Sequence, residues 1–153
     1  MPKVAIPDWT EEPEYVHPAI GARLAPYAHR AIGDVAGLTQ FGVHVERLYP
    51  GARSSLRHWH SDEDEMVYVL EGEMVLVEDV DTVLRPGDAA AWPAGAPVAH
   101  CLENRSDAPA VFLVVGTRAA RDAVTYPDHD LVTRRDGARR RYERADGALI
   151  KET

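Results

Sequence analysis

Between Gly42 and Tyr49 (GVHVERLY) apolar positions rich in β-branched and aromatic residues are interspersed with polar ones, the composition of a strand. Pro50-Gly51 then breaks the run as a turn. Similar short runs follow at Met66–Leu70, Glu73–Glu78, Asp81–Arg85, Ala89–Trp92, Val98–Glu103 and Ala110–Gly116. Glu71-Gly72, Asp79–Asp81 and Arg85-Pro86-Gly87-Asp88 separate them with the composition of tight turns. Short strands at such even spacing predict an all-β sandwich or small barrel over residues 40–117.

The flanks read differently. Residues 1–39 carry Pro2, Pro7, Pro13, Pro18 and Pro26, too many for a helix and too irregular for a repeat, so an irregular arm is expected, with at most a turn of helix in Pro26–Asp34. Past Gly116 the strand pattern stops. Thr117–Asp122 reads as the start of a short helix, and residues 118–153 as an irregular tail packing on the barrel or on a partner subunit.

At 153 residues, one domain is expected. No run reaches the roughly 18 apolar residues of a membrane span, and the Pro- and acid-rich start lacks the apolar stretch of a signal peptide. Cys101 is the sole cysteine, so no disulfide joins two parts of the chain; the reading is a cytoplasmic protein with Cys101 as a small buried apolar residue. The net charge of −8 falls on the central strands, while the basic cluster Arg139-Arg140-Arg141 is diluted by Asp136, Glu143 and Asp146. That distribution predicts no nucleic-acid partner.

Chemistry concentrates between Gly51 and Gly72. His58 and His60 stand two apart, so in a strand both imidazoles project to one face, and Glu65 follows after a turn long enough to reach the next strand. Imidazoles with a carboxylate suit a divalent first-row metal. The spacing Gly51-x6-His58-x-His60-x4-Glu65-x6-Gly72 resembles the first motif of the cupin superfamily. A second motif follows in Gly87, Pro93, Gly95, His100 and Asn104, with two more residues between Gly95 and the histidine than the family spacing, which would fall on Val98. A shift of two keeps the same strand face, so His100 is the candidate fourth ligand.

This resemblance, spanning about half the chain, implies a double-stranded β-helix, or jelly roll, holding manganese or iron, with zinc or nickel as substitutes, on His58, His60, Glu65 and His100. It also implies a small-molecule ligand, and terminal arms of the family suggest a homodimer with covered strand edges. Two functional readings stay open: a metal-dependent enzyme of oxygenase, isomerase or lyase type on a small oxygen-bearing metabolite, and a binding or sensing protein without turnover. Arg47, Tyr49 and Tyr68 are further catalytic candidates. Arg47 and Tyr49 face the pocket if Val43 and Val45 do; the opposite register turns His44, Glu46 and Leu48 inward instead.

Overall fold

The computed structural model describes residues 3–153. In chain order the elements are β1 (Thr10–Glu12), β2 (Tyr15–Val16), β3 (Arg23–Leu24), β4 (Tyr27–Arg30), α1 (Ile32–Val35) and β5 (Phe41–Leu48). They continue with β6 (Trp59–His60), β7 (Glu65–Glu71), β8 (Met74–Val77), β9 (Thr82–Leu84), β10 (Ala89–Trp92), β11 (Cys101–Glu103) and β12 (Ala110–Thr117). The chain ends with β13 (Arg121–Tyr126), β14 (Leu131–Asp136), β15 (Arg139–Glu143) and β16 (Leu149–Glu152). No helix among the described residues is long and apolar enough to cross a membrane.

The all-β architecture is of the jelly-roll kind. A six-stranded sheet, ordered β1-β4-β5-β12-β7-β10, and a three-stranded sheet, β11-β8-β9, contribute to one apolar core. Leu48, Val67, Val69 and Phe112 come from the first, and Met74, Leu76, Leu84 and Leu102 from the second. Alternation along β7 explains the division: Val67 and Val69 are buried, whereas Met66, Tyr68 and Leu70 on the other face are exposed.

The two motifs are stitched together by their backbones. Gly51 N–H donates to Asn104 O at 2.8 Å, and Asn104 N–H to Ala52 O at 2.9 Å. The Asn104 side chain, 1% exposed, donates to Leu48 O and Ala108 O and accepts from Ser106, so this motif residue ties three segments with every polar group satisfied. Gly72 is needed for a different reason. Its φ is +76°, and a Cβ there would lie 2.8 Å from Pro109 O and 2.9 Å from Ala110 Cα.

Both flanks depart from the expectation of irregular arms. Near the N-terminus β1 pairs with β4, and β4 with β5, extending the large sheet, while α1 supplies a single helical turn against β5. After Gly116 no helix forms at Thr117–Asp122. Instead β13 to β16 make an antiparallel meander, and β13 pairs with β6, with Val124 opposite His60 and Thr125 opposite Trp59. The strand expected from Val98 starts only at Cys101, because the preceding residues turn: Ala96 N–H donates to Pro93 O and Val98 N–H to Ala96 O.

Candidate metal centre

Backbone pairing brings the ligand candidates together before any side chain is considered. His58 and His100 form an isolated antiparallel bridge, with N–H to carbonyl distances of 3.1 and 2.9 Å in the two directions. The two extra residues after Gly95 are taken up by the turns just described, and Gly95 N–H is anchored on His60 O at 2.9 Å. His60 lies on β6, and Glu65 opens β7 facing the same interior as Val67. His58, Glu65 and His100 thereby place one ligand atom each within 4.8 Å of one another. His60 Nε2 stands 3.9 Å from Glu65 Oε2; His58 Nε2 stands at 3.8 Å and His100 Nε2 at 2.9 Å from the same oxygen.

Each imidazole has its other nitrogen committed to an acceptor. His58 Nδ1 lies 2.8 Å from Leu56 O, His100 Nδ1 lies 3.0 Å from Val98 O, and His60 Nδ1 lies 2.6 Å from Asp122 Oδ2. These contacts put the ring proton on Nδ1 and turn three Nε2 lone pairs toward the Glu65 carboxylate. Four acceptors facing one point repel one another unless a cation sits among them, so the donor set fits a divalent ion. Trp92 holds the His100 ring by stacking on it, centroids 3.5 Å apart and planes 4° from parallel, while its own Nε1–H donates to Glu78.

Electrostatics follows from the same packing. Burial, only partly offset by Glu65, pulls His58 down to about 4, so the ring is neutral and able to ligate at physiological pH. Burial acts on His60 too, but the hydrogen bond and charge of Asp122 outweigh it and hold its pKa above the ordinary value. Burial alone would raise Glu65; the close approach of His100, and then of His58 and His60, reverses that and keeps it lowered.

Asp122 is the residue that sequence reasoning missed. It is 4% exposed, sits on β13 in what was expected to be tail, and also accepts from Asp62 N–H at 3.0 Å. His60, Glu63 and Asp122 form a second group of close ligand atoms, but Glu63 is already engaged by Arg135 and by Ala119 N–H.

A cavity of about 90 Å³ adjoins the cluster, lined by His58, Glu65, His100, Val67, Phe112 and, from β5, Glu46. The inward register of β5 is therefore that of Glu46 and Leu48. Arg47 points away from the cluster, its guanidinium 3.9 Å above the Trp9 ring. Tyr49 donates to Glu11 at 2.7 Å, and Tyr68 is 40% exposed on the outer face of β7. None of these three catalytic candidates reaches the cavity. Glu46 does, and burial, reinforced by the Glu65 charge, pushes its carboxyl up to about 7. Cys101 is buried, and burial pushes its thiol up to about 11, disfavouring the thiolate near neutral pH.

The family described as "Cupin domain" matches residues 44–116. A solved structure from Silicibacter pomeroyi, described as a sugar phosphate isomerase from a cupin superfamily, is 42% identical with a TM-score of 0.82, covering 93% of this chain and 92% of that one. One from Acidithiobacillus ferrooxidans, provisionally described as a sugar phosphate isomerase, is 30% identical with a TM-score of 0.77, covering 79% and 78%. A polyketide cyclase from Streptomyces resistomycificus is 27% identical with a TM-score of 0.52, covering 60% and 64%. Comparison with curated proteins finds no match.

Proposed function

The chain belongs to the cupin superfamily, and from that premise we propose that it is a metal-dependent enzyme that isomerises a small sugar phosphate. The observation that carries this reading is a carboxylate beside the ligand cluster that is not itself part of it. Glu46 takes part in no ion pair or side-chain hydrogen bond found among the described residues, faces the same cavity as Glu65 and His100, and has its pKa pushed up to about 7. Moving a proton between neighbouring carbons requires a group that both takes and returns it near neutral pH, which is where Glu46 is poised. Support for the substrate class comes from the likeness to the two structures described as sugar phosphate isomerases, over most of each chain.

On this reading His58, His60, Glu65 and His100 hold a divalent ion, manganese or iron by their nitrogen and oxygen donors, with zinc or nickel able to substitute. When bound, the ion supplies the positive charge that polarises a carbonyl. The protein's own groups do the rest. Glu46 takes the proton from the carbon next to the carbonyl and returns it to the former carbonyl carbon, while a proton passes from the neighbouring hydroxyl oxygen to the carbonyl oxygen. Val67, Phe112 and Val114 wall that side of the cavity and limit water around the carboxylate. A homodimer belongs to the same proposal, since the outer face of the large sheet exposes Phe41, Met66, Tyr68 and Leu70.

Metal analysis of protein purified without added metal, followed by NMR assay of aldose and ketose phosphates with the found metal restored, tests the proposal. Conversion by the wild type and its loss in His60→Ala is the expected outcome. Glu46→Gln should keep its metal and lose about 10²- to 10⁴-fold in turnover. Full turnover in Glu46→Gln would defeat its assigned role, and binding of sugar phosphates without conversion would favour the sensing alternative.

A further inference from the structure

A second chamber of about 250 Å³ opens on the far side of His60, and the meander builds it. The strand registers align one face across four strands: His60 opposite Val124, Val124 opposite Thr133, and Thr133 opposite Tyr142. One period further, Asp122, Arg135 and Arg140 continue that face. From the N-terminal side Tyr15 and His17 close it over, and the His17 ring meets Tyr126 and Tyr142 edge-on at 5.8 and 5.7 Å. Tyr126 in turn lies 5.7 Å from the ring of His58, so the chamber adjoins the metal centre.

The chamber is lined with donors that the protein does not use. The hydroxyls of Tyr15, Tyr126 and Tyr142 take part in none of the side-chain hydrogen bonds found among the described residues, and Thr133 Oγ1 is buried without a partner. His17, 5% exposed, accepts at Nδ1 from Ala19 N–H at 3.3 Å, which leaves its proton on Nε2. The two carboxylates here already have protein partners, Asp122 accepting from His60 and from Asp62 N–H and Glu63 pairing with Arg135. Arg140 has no carboxylate within 4.0 Å among the described residues, unlike Arg134, Arg139 and Arg141 around it, each of which is paired. Burial keeps Tyr126 up at about 12 and lowers His17, so both stay neutral at pH 7.

With both carboxylates already holding protein partners, one free cation beside unused neutral donors suits a small dianion better than a second metal or an apolar group. We propose that this chamber holds the phosphate of the substrate, bound by Arg140, Tyr15, His17, Tyr126 and Tyr142, while the sugar reaches past His60 to the metal centre. The inference rests on the sugar phosphate reading above for the identity of the anion's carrier, but the anion site is testable without it.

Inorganic phosphate, titrated by calorimetry and by 31P NMR into the metal-loaded protein, is the probe. Wild type should bind it saturably, and Arg140→Met should weaken it by about tenfold, the loss of one charge-assisted contact, with metal content unchanged. Tyr142→Phe, which keeps the ring and its packing, should give a smaller loss in the same direction. Arg139→Met, whose side chain is paired with Glu152, serves as the control and should bind as wild type does. Equal phosphate binding by wild type and Arg140→Met, no binding by wild type, or acetate bound as tightly as phosphate would each overturn the proposal. Phosphate held through Arg140 with no sugar phosphate converted would sink the isomerase reading alone; isomerisation indifferent to Arg140 would sink the chamber alone.

Discussion

Asp122 governs how His60 presents itself: by taking the Nδ1 proton contact at 2.6 Å it fixes the tautomer and raises the basicity of Nε2. Asp122→Asn should therefore lower metal affinity by about 10- to 100-fold in a competitive chelator titration, with the fold intact by circular dichroism. An unchanged dissociation constant would refute this role. Glu46 gives the second prediction at this scale. Its carboxyl is pushed from 4.5 to about 7, so between those values the native state holds a proton that the unfolded chain releases. The stabilisation is complete below the lower value and fades as pH rises through the upper one. Urea titrations of metal-free protein should show stability falling across that window by at most about 3 kcal/mol, less where cavity water reaches the carboxylate, and a flatter profile in Glu46→Gln. The two residues also mark what the sequence conceals. His58, His60, Glu65 and His100 advertise themselves by spacing, whereas Asp122 lies 62 residues from its partner with no spacing to betray it. Glu46 is hidden by its neighbours. Val43 and Val45 suggest an inward face, yet α1 packs on that side of β5, with Gly33 so close that a Cβ would lie 2.9 Å from Val43 N.

Among elements, the turn at Gly72 sets the link from β7 to β8. Replacement by alanine meets both a left-handed backbone and the Pro109–Ala110 main chain, which cannot swing aside as a side chain can. Gly72→Ala should cost about 1 to 3 kcal/mol, read as a lower urea midpoint with the slope unchanged. A midpoint equal to wild type would show that the turn relaxes freely. The strands from β5 to β12 were legible as short apolar runs bounded by turn residues, whether half-buried as in β7 or buried on both faces as in β8. The meander was not, for a physical reason. One face of β14 and β15 is solvated, and the other lines a polar chamber, so arginines occupy both and no period-two contrast survives in LVTRRD or RRRYE. Cross-strand ion pairs such as Arg134 with Glu143 at 2.9 Å stand in for apolar contacts there.

For the whole molecule, an apolar groove of about 500 Å³ is lined by Phe41, Met66, Ala91 and Val115 of the large sheet and bordered by Glu65 and Trp92. Covering such a face is what a second copy would do, and light scattering at micromolar concentration is expected to give twice the 16.9 kDa chain mass. A monomer throughout would remove the homodimer from the proposal. Metal should act on the molecule globally. An ion bound only by the native state, at a thousandfold excess over its dissociation constant, adds about 4 kcal/mol, so chelation should lower the melting temperature and readdition restore it. His60→Ala should show no such response.

The pairing of β13 with β6 carries a lesson about modularity. The family's recognisable unit stops at residue 116, six positions short of the carboxylate that orients His60. Grafted elsewhere as that unit, the barrel would carry the four proposed ligands but leave behind the carboxylate that hydrogen-bonds one of them. On the proposed site, a strand outside the residues that match the family can thus retune the metal without touching a ligand, and variants selected for altered metal preference would be expected to accumulate changes in β13 as readily as in the barrel.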